Sequence, residues 1–192
     1  MLGVRGLARL SVRLGWKYLL RVPALFVHAD RRRAGHDDPH DDSFLVGETP
    51  FDTAEAICRR VGLRPEDVFL DAGCGRGKMV FFARLWSGCQ AIGVDALETY
   101  VRVGEALGVE GVRFVQGDFA EMDLRGVTVL YVHGPNFSER TWEALSRRFA
   151  DLAPGARVVT VGHACPELTP EHEERLTFSW GRSTVRYYRA IR

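Results

Sequence analysis

One stretch of the chain limits the fold more than any other: an apolar run, a turn rich in glycine and a helical pattern, in that order. Val68–Asp71 is apolar up to its final residue, and Gly73, Gly75 and Gly77 follow it closely. Because glycine has no Cβ, this spacing lets the backbone turn tightly and approach a ligand. A helical pattern then continues through Trp86. This order predicts the first strand, loop and helix of an open α/β sheet, which binds ligands at the carboxyl ends of its strands.

The rest of the chain repeats this alternation. From about Leu45 onward, short apolar runs alternate with helical patterns, which predicts a parallel sheet with crossover helices. A terminal hairpin is predicted around the turn Gly181-Arg182-Ser183. The predicted fold class is α/β, a Rossmann-like three-layer sandwich with a mostly parallel seven-stranded sheet and a C-terminal antiparallel hairpin. Its predicted strands are Val68–Asp71, Ala91–Asp95, Val112–Gln116, Val127–His133, Arg157–Gly162, Leu176–Trp180 and Thr184–Arg189.

Two helices of this domain have recognisable starting residues. Thr49 is predicted to cap a helix that has Pro50 in its first turn, runs to about Val61 and ends at Gly62. Ser138 is predicted to cap a later helix. The apolar stripe of that helix consists of Trp142, Leu145, Phe149 and Leu152.

The chain divides into three parts by composition. Residues 1–29 contain no acidic residue and carry a basic residue at every fourth position from Arg5 to Arg21, which predicts a basic amphipathic helix. This helix either lies on an anionic membrane surface or packs on the domain with a solvated basic face, and both interpretations stay open. Residues 30–44 are polar and predict a linker. Its His36–Asp42 run fits a solvated segment better than a weak metal site, and residues 45–192 form the domain.

Composition narrows the class and location of the protein. The formal net charge of +1 gives no argument for a nucleic-acid partner, and no apolar run is long enough to span a membrane. The four cysteines show neither CxxC pairing nor metal-ligand spacing, which is typical of reduced thiols in the cytosol. The sequence therefore predicts a cytoplasmic protein without a bound metal, peripheral to the membrane if residues 1–29 bind lipid. It gives no indication of oligomeric state.

Acidic residues follow three successive predicted strands. Asp71 ends the first strand, Asp95 ends the second, and Asp118 follows the third. Lys78 stands where the dinucleotide fingerprint has its third glycine, so a pyrophosphate cradle is disfavoured. An acid just before the glycine turn suits a ligand ammonium group instead. Asp95 can accept hydrogen bonds from both hydroxyls of a ribose, but Asp95 and Asp118 could equally cap helices.

The pattern D-x-G-x-G-x-G at Asp71–Gly77, with the two later acids, resembles the motifs of the class I methyltransferases that use S-adenosyl-L-methionine. The resemblance implies that the first acid and the loop hold the methionine part of this cofactor. It also implies that Asp95 binds the ribose, Asp118 the adenine amino group, and Phe119 the adenine ring. The cofactor-binding residues implied in this way are Asp71, Gly73, Cys74, Gly75, Gly77, Asp95, Asp118 and Phe119.

A narrower resemblance covers about residues 44–165. The segments Gly47–Asp52, Gln116–Phe119 and Val129–Phe149 are similar to the non-SET, seven-strand protein lysine methyltransferases, which include histone-modifying enzymes and smaller archaeal and bacterial relatives. This similarity implies that Glu48 and Thr49 wall the methionine end of the cofactor and that the partner is a protein substrate. The chain departs from the histone enzymes after the fourth strand, where they carry paired asparagines and this chain has His133-Gly134-Pro135-Asn136.

The resemblance makes a lysine side chain of a protein the expected methyl acceptor. Tyr131, His133 and Asn136, with Phe137, are the predicted channel residues, and an apolar channel favours the neutral amine by desolvation. Tyr131 and Phe137 could equally pack in the core. His133 is a candidate proton acceptor because an ordinary histidine has a pKa near neutrality. A small-molecule methyltransferase and a catalytically silent binding fold are the alternatives, whereas the chain lacks the Asn-Pro-Pro-aromatic motif of enzymes that methylate nucleic-acid bases.

Overall fold

In the computed structural model, which describes residues 49–134 and 137–191, seven strands form one sheet in the order β3-β2-β1-β4-β5-β7-β6. The first five strands are parallel, and β7 runs antiparallel between β5 and β6. This architecture confirms the predicted fold class. The strands are β1 (Val68–Ala72), β2 (Gln90–Asp95), β3 (Val112–Gln116), β4 (Val129–His133), β5 (Arg157–Val161), β6 (His172–Phe178) and β7 (Gly181–Arg189).

Helices cover both faces of the sheet and form a separate apolar core on each. One core packs α1 (Phe51–Val61) and α2 (Lys78–Ser87) against residues such as Phe69 and Tyr131, and the other packs α4 (Glu139–Arg147) against residues such as Leu130. β4 contributes to both cores, and its first four residues are at most 1% exposed, as expected for a central parallel strand. The helices among the described residues are α1 (Phe51–Val61), α2 (Lys78–Ser87), α3 (Glu98–Ala106) and α4 (Glu139–Arg147), with short 3₁₀ helices at Phe119–Glu121 and Arg148–Asp151.

The strand order reverses direction at β1, and in open α/β sheets such a reversal creates a crevice at the carboxyl ends of the strands. β1 lies between β2 and β4, so the chain leaves β1 toward one side of the sheet and later crosses to the other. Such a reversal separates the connecting segments at the carboxyl ends of the strands, where open α/β sheets bind ligands. At the amino ends of the parallel strands, the Arg157 guanidinium pairs with buried Asp67 and donates to the carbonyl groups of Val61 and Gly62. These bonds join the end of α1 to the start of β5.

Two predicted boundaries are wrong in detail. Thr49 does not cap α1: Pro50 takes the cap position, and the buried Thr49 hydroxyl hydrogen-bonds the Tyr131 hydroxyl instead. The terminal hairpin does not turn at Gly181-Arg182-Ser183. Gly181 pairs directly with Phe178, whose ring is buried in the core, so the strands extend further and Ser179–Trp180 forms the turn.

Two other predicted helix termini are confirmed. Gly62 ends α1 in a left-handed conformation at φ +63°, which glycine adopts without strain. The Ser138 hydroxyl accepts a hydrogen bond from the Thr141 amide at 3.1 Å and caps α4. Phe149 and Leu152 are buried as predicted, but they lie beyond the end of α4.

The predicted basic helix at residues 1–29 and the predicted linker at residues 30–44 lie outside the described residues. Both stay predictions, as does the membrane association that depends on residues 1–29. The cytoplasmic location, which is predicted from the cysteines, also stays a prediction. No helix in the described part of the chain is long and apolar enough to cross a membrane.

Candidate active site

The glycine loop after β1 is held by backbone hydrogen bonds to β2. The amides of Gly73 and Cys74 both donate to the Val94 carbonyl at 2.9 Å, and the Gly77 amide donates to the Cys74 carbonyl at 2.8 Å. All three glycines of the motif have positive φ, from +50° to +80°, which side chains rarely allow. The loop therefore turns back over the sheet edge, as the spacing predicts.

Asp95, at the end of β2, braces this loop from the side. One carboxylate oxygen accepts the Gly75 amide at 2.8 Å and the other accepts the Leu97 amide at 2.9 Å, just before α3. Burial raises the pKa of Asp95 to about 6, while both of these hydrogen bonds act to lower it. A carboxylate has about four acceptor positions, so each oxygen can accept one more donor, such as a ribose hydroxyl. Bracing the loop and binding a ligand are thus compatible.

Asp71, at the end of β1, is the buried acid whose hydrogen bonding is incomplete. Its side chain is 3% exposed, and Oδ1 has no hydrogen-bond partner among the described residues. Burial raises the pKa of Asp71 well above its usual value, and the neighbouring charge of Asp95 raises it further. Leaving a buried polar group unsatisfied costs about 1–3 kcal/mol, so such a group calls for a missing partner. A cationic donor such as an ammonium group would satisfy both the hydrogen bond and the charge.

Cys74 lies in the glycine loop. It contributes backbone hydrogen bonds, and not a reactive thiolate, to the site. Its thiol is buried and donates weakly to the Gly75 carbonyl, with 3.6 Å between sulfur and oxygen. Burial raises the pKa of the Cys74 thiol well above its usual value, and the charges of Asp95 and Asp71 add to the effect. The thiol therefore stays protonated at neutral pH.

Asp118 and Phe119 border the loop from the end of β3. The exposed Asp118 carboxylate accepts the Ala120 amide at 2.8 Å and caps the short 3₁₀ helix, so the cap interpretation is confirmed. The half-buried Phe119 ring stacks on Phe137, with centroids 5.2 Å apart and an interplanar angle of 18°. The edge of the Phe137 ring is 3.1 Å from the position that a Cβ on Gly73 would take. An aromatic surface thus faces the glycine loop.

Tyr131 lies beside Asp71, because the two residues are partners in the β1–β4 register. The Tyr131 hydroxyl is 2.8 Å from the Thr49 hydroxyl, and both side chains are buried. Burial raises the pKa of Tyr131 well above its usual value, so the phenol stays neutral. This contact brings Thr49 to the β4 residue that pairs with Asp71, and its role at the methionine end of the cofactor stays a prediction. Glu48, the residue before it, lies outside the described residues. Any contact of Tyr131 with an acceptor stays a prediction.

His133, two residues further along β4, lies in an aromatic cluster that the sequence pattern does not reveal. Its ring centroid lies 4.6 Å from that of Trp180 and 5.4 Å from that of Phe178. Nε2 has no hydrogen-bond partner among the described residues. Burial lowers the pKa of His133 to about 4, so the expectation of a pKa near neutrality is wrong. Asn136, the third predicted catalytic residue, lies outside the described part of the chain.

A model of the family described as "Histone methylation protein DOT1" matches residues 40–187. The chain belongs to this family. Two relatives are named "Histone-lysine N-methyltransferase, H3 lysine-79 specific". The Drosophila melanogaster protein is 30% identical over 140 residues, and the Dictyostelium discoideum protein is 27% identical over 138 residues. These alignments cover 64% and 62% of this chain but only 8% and 7% of the relatives, so the chain spans less than a tenth of their length.

Solved structures resemble the fold as well. A crystal structure of an RNA methyltransferase from Salinibacter ruber with S-adenosyl-L-homocysteine has a TM-score of 0.64 and 23% sequence identity. The match covers 74% of this chain and 93% of that chain. At this level of identity the likeness concerns the fold alone. Together with the family match, it confirms the predicted resemblance to class I methyltransferases of the histone lysine type.

The tight contact between the loop and Phe114 gives a first test. A Cβ on Gly77, which has φ +74°, would overlap the buried Phe114 ring, whereas a Cβ on Gly108, at φ +57°, meets nothing within 4 Å. Both Gly→Ala variants strain the backbone, but only Gly77→Ala also forces the core to move. We expect Gly77→Ala to lose about 1–3 kcal/mol more unfolding free energy than Gly108→Ala in urea denaturation. Equal losses would contradict this packing of the loop.

Proposed function

We propose that this chain transfers a methyl group from S-adenosyl-L-methionine to a lysine side chain of a protein. The observation that carries the proposal is the buried Asp71 carboxylate with an unsatisfied oxygen, next to a glycine loop at the carboxyl edge of the sheet. The amino acid part of this cofactor carries an ammonium group, which supplies the missing donor and positive charge.

The remaining residues of the site suit the other parts of the cofactor. Asp95 has acceptor capacity left for the ribose hydroxyls, and Phe119 offers an aromatic face for adenine. Asp118 is exposed, and only Oδ1 accepts the Ala120 amide, so acceptor capacity is left for an adenine amino group. When bound, the cofactor supplies a methyl group already activated by its sulfonium, so the protein mainly positions the acceptor and excludes water.

The surroundings of His133 support an amine as the acceptor. A free lysine has a pKa of about 10.4 and must lose a proton before it can attack a methyl group. The rings of Tyr131, Phe178 and Trp180 around His133 disfavour a charged ammonium group by desolvation. Burial lowers the pKa of His133 to about 4, which makes it a weaker base than an ordinary histidine. We therefore assign His133 a positioning role, as a neutral hydrogen-bonding ring.

The acceptor class follows from the relatives rather than from the geometry alone. Both named relatives act on a lysine of histone H3, and the family model covers most of the described domain. Because the chain spans less than a tenth of those proteins, we extend to it the chemistry of lysine methylation and not their particular lysine.

Methyl-lysine formation tests the function directly. The full chain is incubated with cell lysate and cofactor that carries an isotope-labelled methyl group, and the products are digested and read by mass spectrometry. We expect labelled methyl-lysine in peptides with the unchanged protein and none with Asp71→Asn, which removes the charge that pairs with the ammonium. Asp123→Asn, at an exposed acid outside the site, serves as the matched control and should retain labelling. Label confined to protease-resistant small molecules would contradict the protein acceptor.

The role of His133 can be separated from binding of the cofactor. We expect His133→Ala to lower kcat by about tenfold, the effect of losing one hydrogen bond, while the Kd for S-adenosyl-L-homocysteine stays nearly unchanged. His133→Gln, which keeps a neutral hydrogen-bonding group, should restore part of the rate. The pH profile of kcat should keep its shape in both variants, because the amine and not the imidazole sets it. A neutral-range break in the profile that disappears in His133→Gln would instead identify His133 as the base.

A further inference from the structure

We propose that Arg148 is a positioning residue for the adenine ring of the cofactor, because it fixes the backbone that carries Asp118 and Phe119. The inference rests on the proposed function, since it assigns a further residue to binding of the same cofactor. Arg148 directly follows α4 and lies 28 residues beyond Ala120, whose carbonyl group it contacts. It therefore acts on the adenine site through the backbone and not through the ligand.

The segment after β3 needs support from outside. β3 is an edge strand of the described sheet, so the chain leaves the sheet at its margin. The 3₁₀ helix Phe119–Glu121 that follows has only three residues. Its backbone hydrogen bonds run from the Glu121 amide to Asp118 at 3.0 Å and from the Met122 amide to Phe119 at 3.4 Å. Hydrogen bonds of 3₁₀ helices have poor geometry, and a single turn is costly to form, so this segment is weakly held by its own bonds.

Arg148 supplies the missing support. Nη1 donates to the Ala120 carbonyl, and Nη2 donates to the Met122 carbonyl at 2.7 Å. Nε donates to the Asp151 carboxylate at 2.6 Å, which orients the guanidinium group. Carbonyl groups at the end of a helix lack partners within it, and a cation is favoured there. One side chain thus joins two carbonyl groups of the segment to the end of α4.

These contacts act directly on the two adenine-site residues. Ala120 is held from two sides, because its amide donates to Asp118 at 2.8 Å and its carbonyl accepts from Arg148. The Phe119 ring stacks on Phe137, which lies two residues before the start of α4. The segment is therefore held at both ends of α4, by Phe137 at one end and by Arg148 at the other.

The arrangement predicts that Arg148 affects recognition of the base and not of the methionine part. Asp118 is exposed, so water competes for its carboxylate, and a hydrogen bond to an adenine amino group requires the carboxylate at a fixed distance and angle. Asp71 lies instead at the end of β1, inside the sheet, where strand pairing with β2 and β4 holds it. Loss of Arg148 should therefore reduce the preference for the adenine amino group and leave the contribution of Asp71 intact.

Calorimetry with two ligands tests this role. The ligands are S-adenosyl-L-homocysteine and an analogue in which hydrogen replaces the adenine amino group. We expect the full chain to bind S-adenosyl-L-homocysteine about tenfold more tightly than the analogue, the effect of one hydrogen bond to a charged group. Arg148→Met, which keeps an apolar side chain, should lose most of this preference and bind the analogue nearly as well as the unchanged protein does.

Three further variants separate positioning from general stability. Arg147→Met makes the same change at the neighbouring exposed arginine, which pairs only with Glu143 at 3.5 Å, and should keep the full preference. Arg148→Lys keeps a donor but cannot span two carbonyl groups as a guanidinium does, so its preference should be intermediate. Asp71→Asn should weaken binding of both ligands by the same factor. Circular dichroism and Tm show which variants are folded, and if Arg148→Met is not, the intermediate preference of Arg148→Lys is the deciding result.

The inference would be overturned if Arg148→Met or Arg148→Lys kept the full preference, or if Arg148→Met weakened both ligands equally. Either result would leave the proposed function in place, because S-adenosyl-L-homocysteine would still bind. An adenine preference that depends on Arg148, in a protein that forms no methyl-lysine, would support the inference and refute the proposed acceptor. A chain that binds neither ligand would refute the cofactor site and the inference together.

Discussion

Two backbone amides, those of Gly75 and Leu97, donate to the single carboxylate of Asp95, and these hydrogen bonds hold the glycine loop against the start of α3. The position of the loop determines the rest of the site. It places Gly73 under the Phe119–Phe137 pair, directly after the end of β1, where Asp71 lies buried. Because the carboxylate is buried, these bonds are poorly replaced by water. Asp95 thus fixes the loop together with the backbone hydrogen bonds from Gly73 and Cys74 to Val94.

The electrostatics of the site favour a positively charged ligand. Asp71 and Asp95 are both buried, and burial raises the pKa of each. Their ionised forms are costly in the free protein chiefly because burial removes the carboxylates from water, and at Asp71 the charge of Asp95 adds to this cost. A bound ammonium group favours ionisation of Asp71. Around His133, by contrast, aromatic rings disfavour charge, which suits an acceptor that reacts only as the neutral amine. The same crevice therefore offers a charged end for the cofactor and an apolar end for the acceptor.

The parts of the site that sequence predicts are those encoded locally. Asp71, Asp95 and the glycines lie at or just after the ends of strands. There, the apolar runs and the turn residues identify their positions. The contacts that sequence misses join distant positions. Thr49 meets Tyr131 across 82 residues, where helix-start signals predicted a cap, and Trp180 reaches His133 through the hairpin pairing. The low pKa of His133 depends on this burial, which an isolated histidine does not reveal. The misplaced turn has a similar cause, because burial of Phe178 extends the strands beyond their apparent boundary.

Asp71 is the proposed partner of the cofactor ammonium group, and proton release on binding tests this role most directly. Calorimetry with S-adenosyl-L-homocysteine in buffers of different ionisation enthalpy, from about pH 5 to about pH 8, counts the protons exchanged. Because burial raises the pKa of Asp71 and ammonium pairing lowers it, binding should release protons from the unchanged protein. In Asp71→Asn the affinity should fall and the release should shrink to the part that Asp95 contributes. Equal affinity and equal proton release in the two proteins would contradict the assignment of Asp71, and with it the proposed cofactor site.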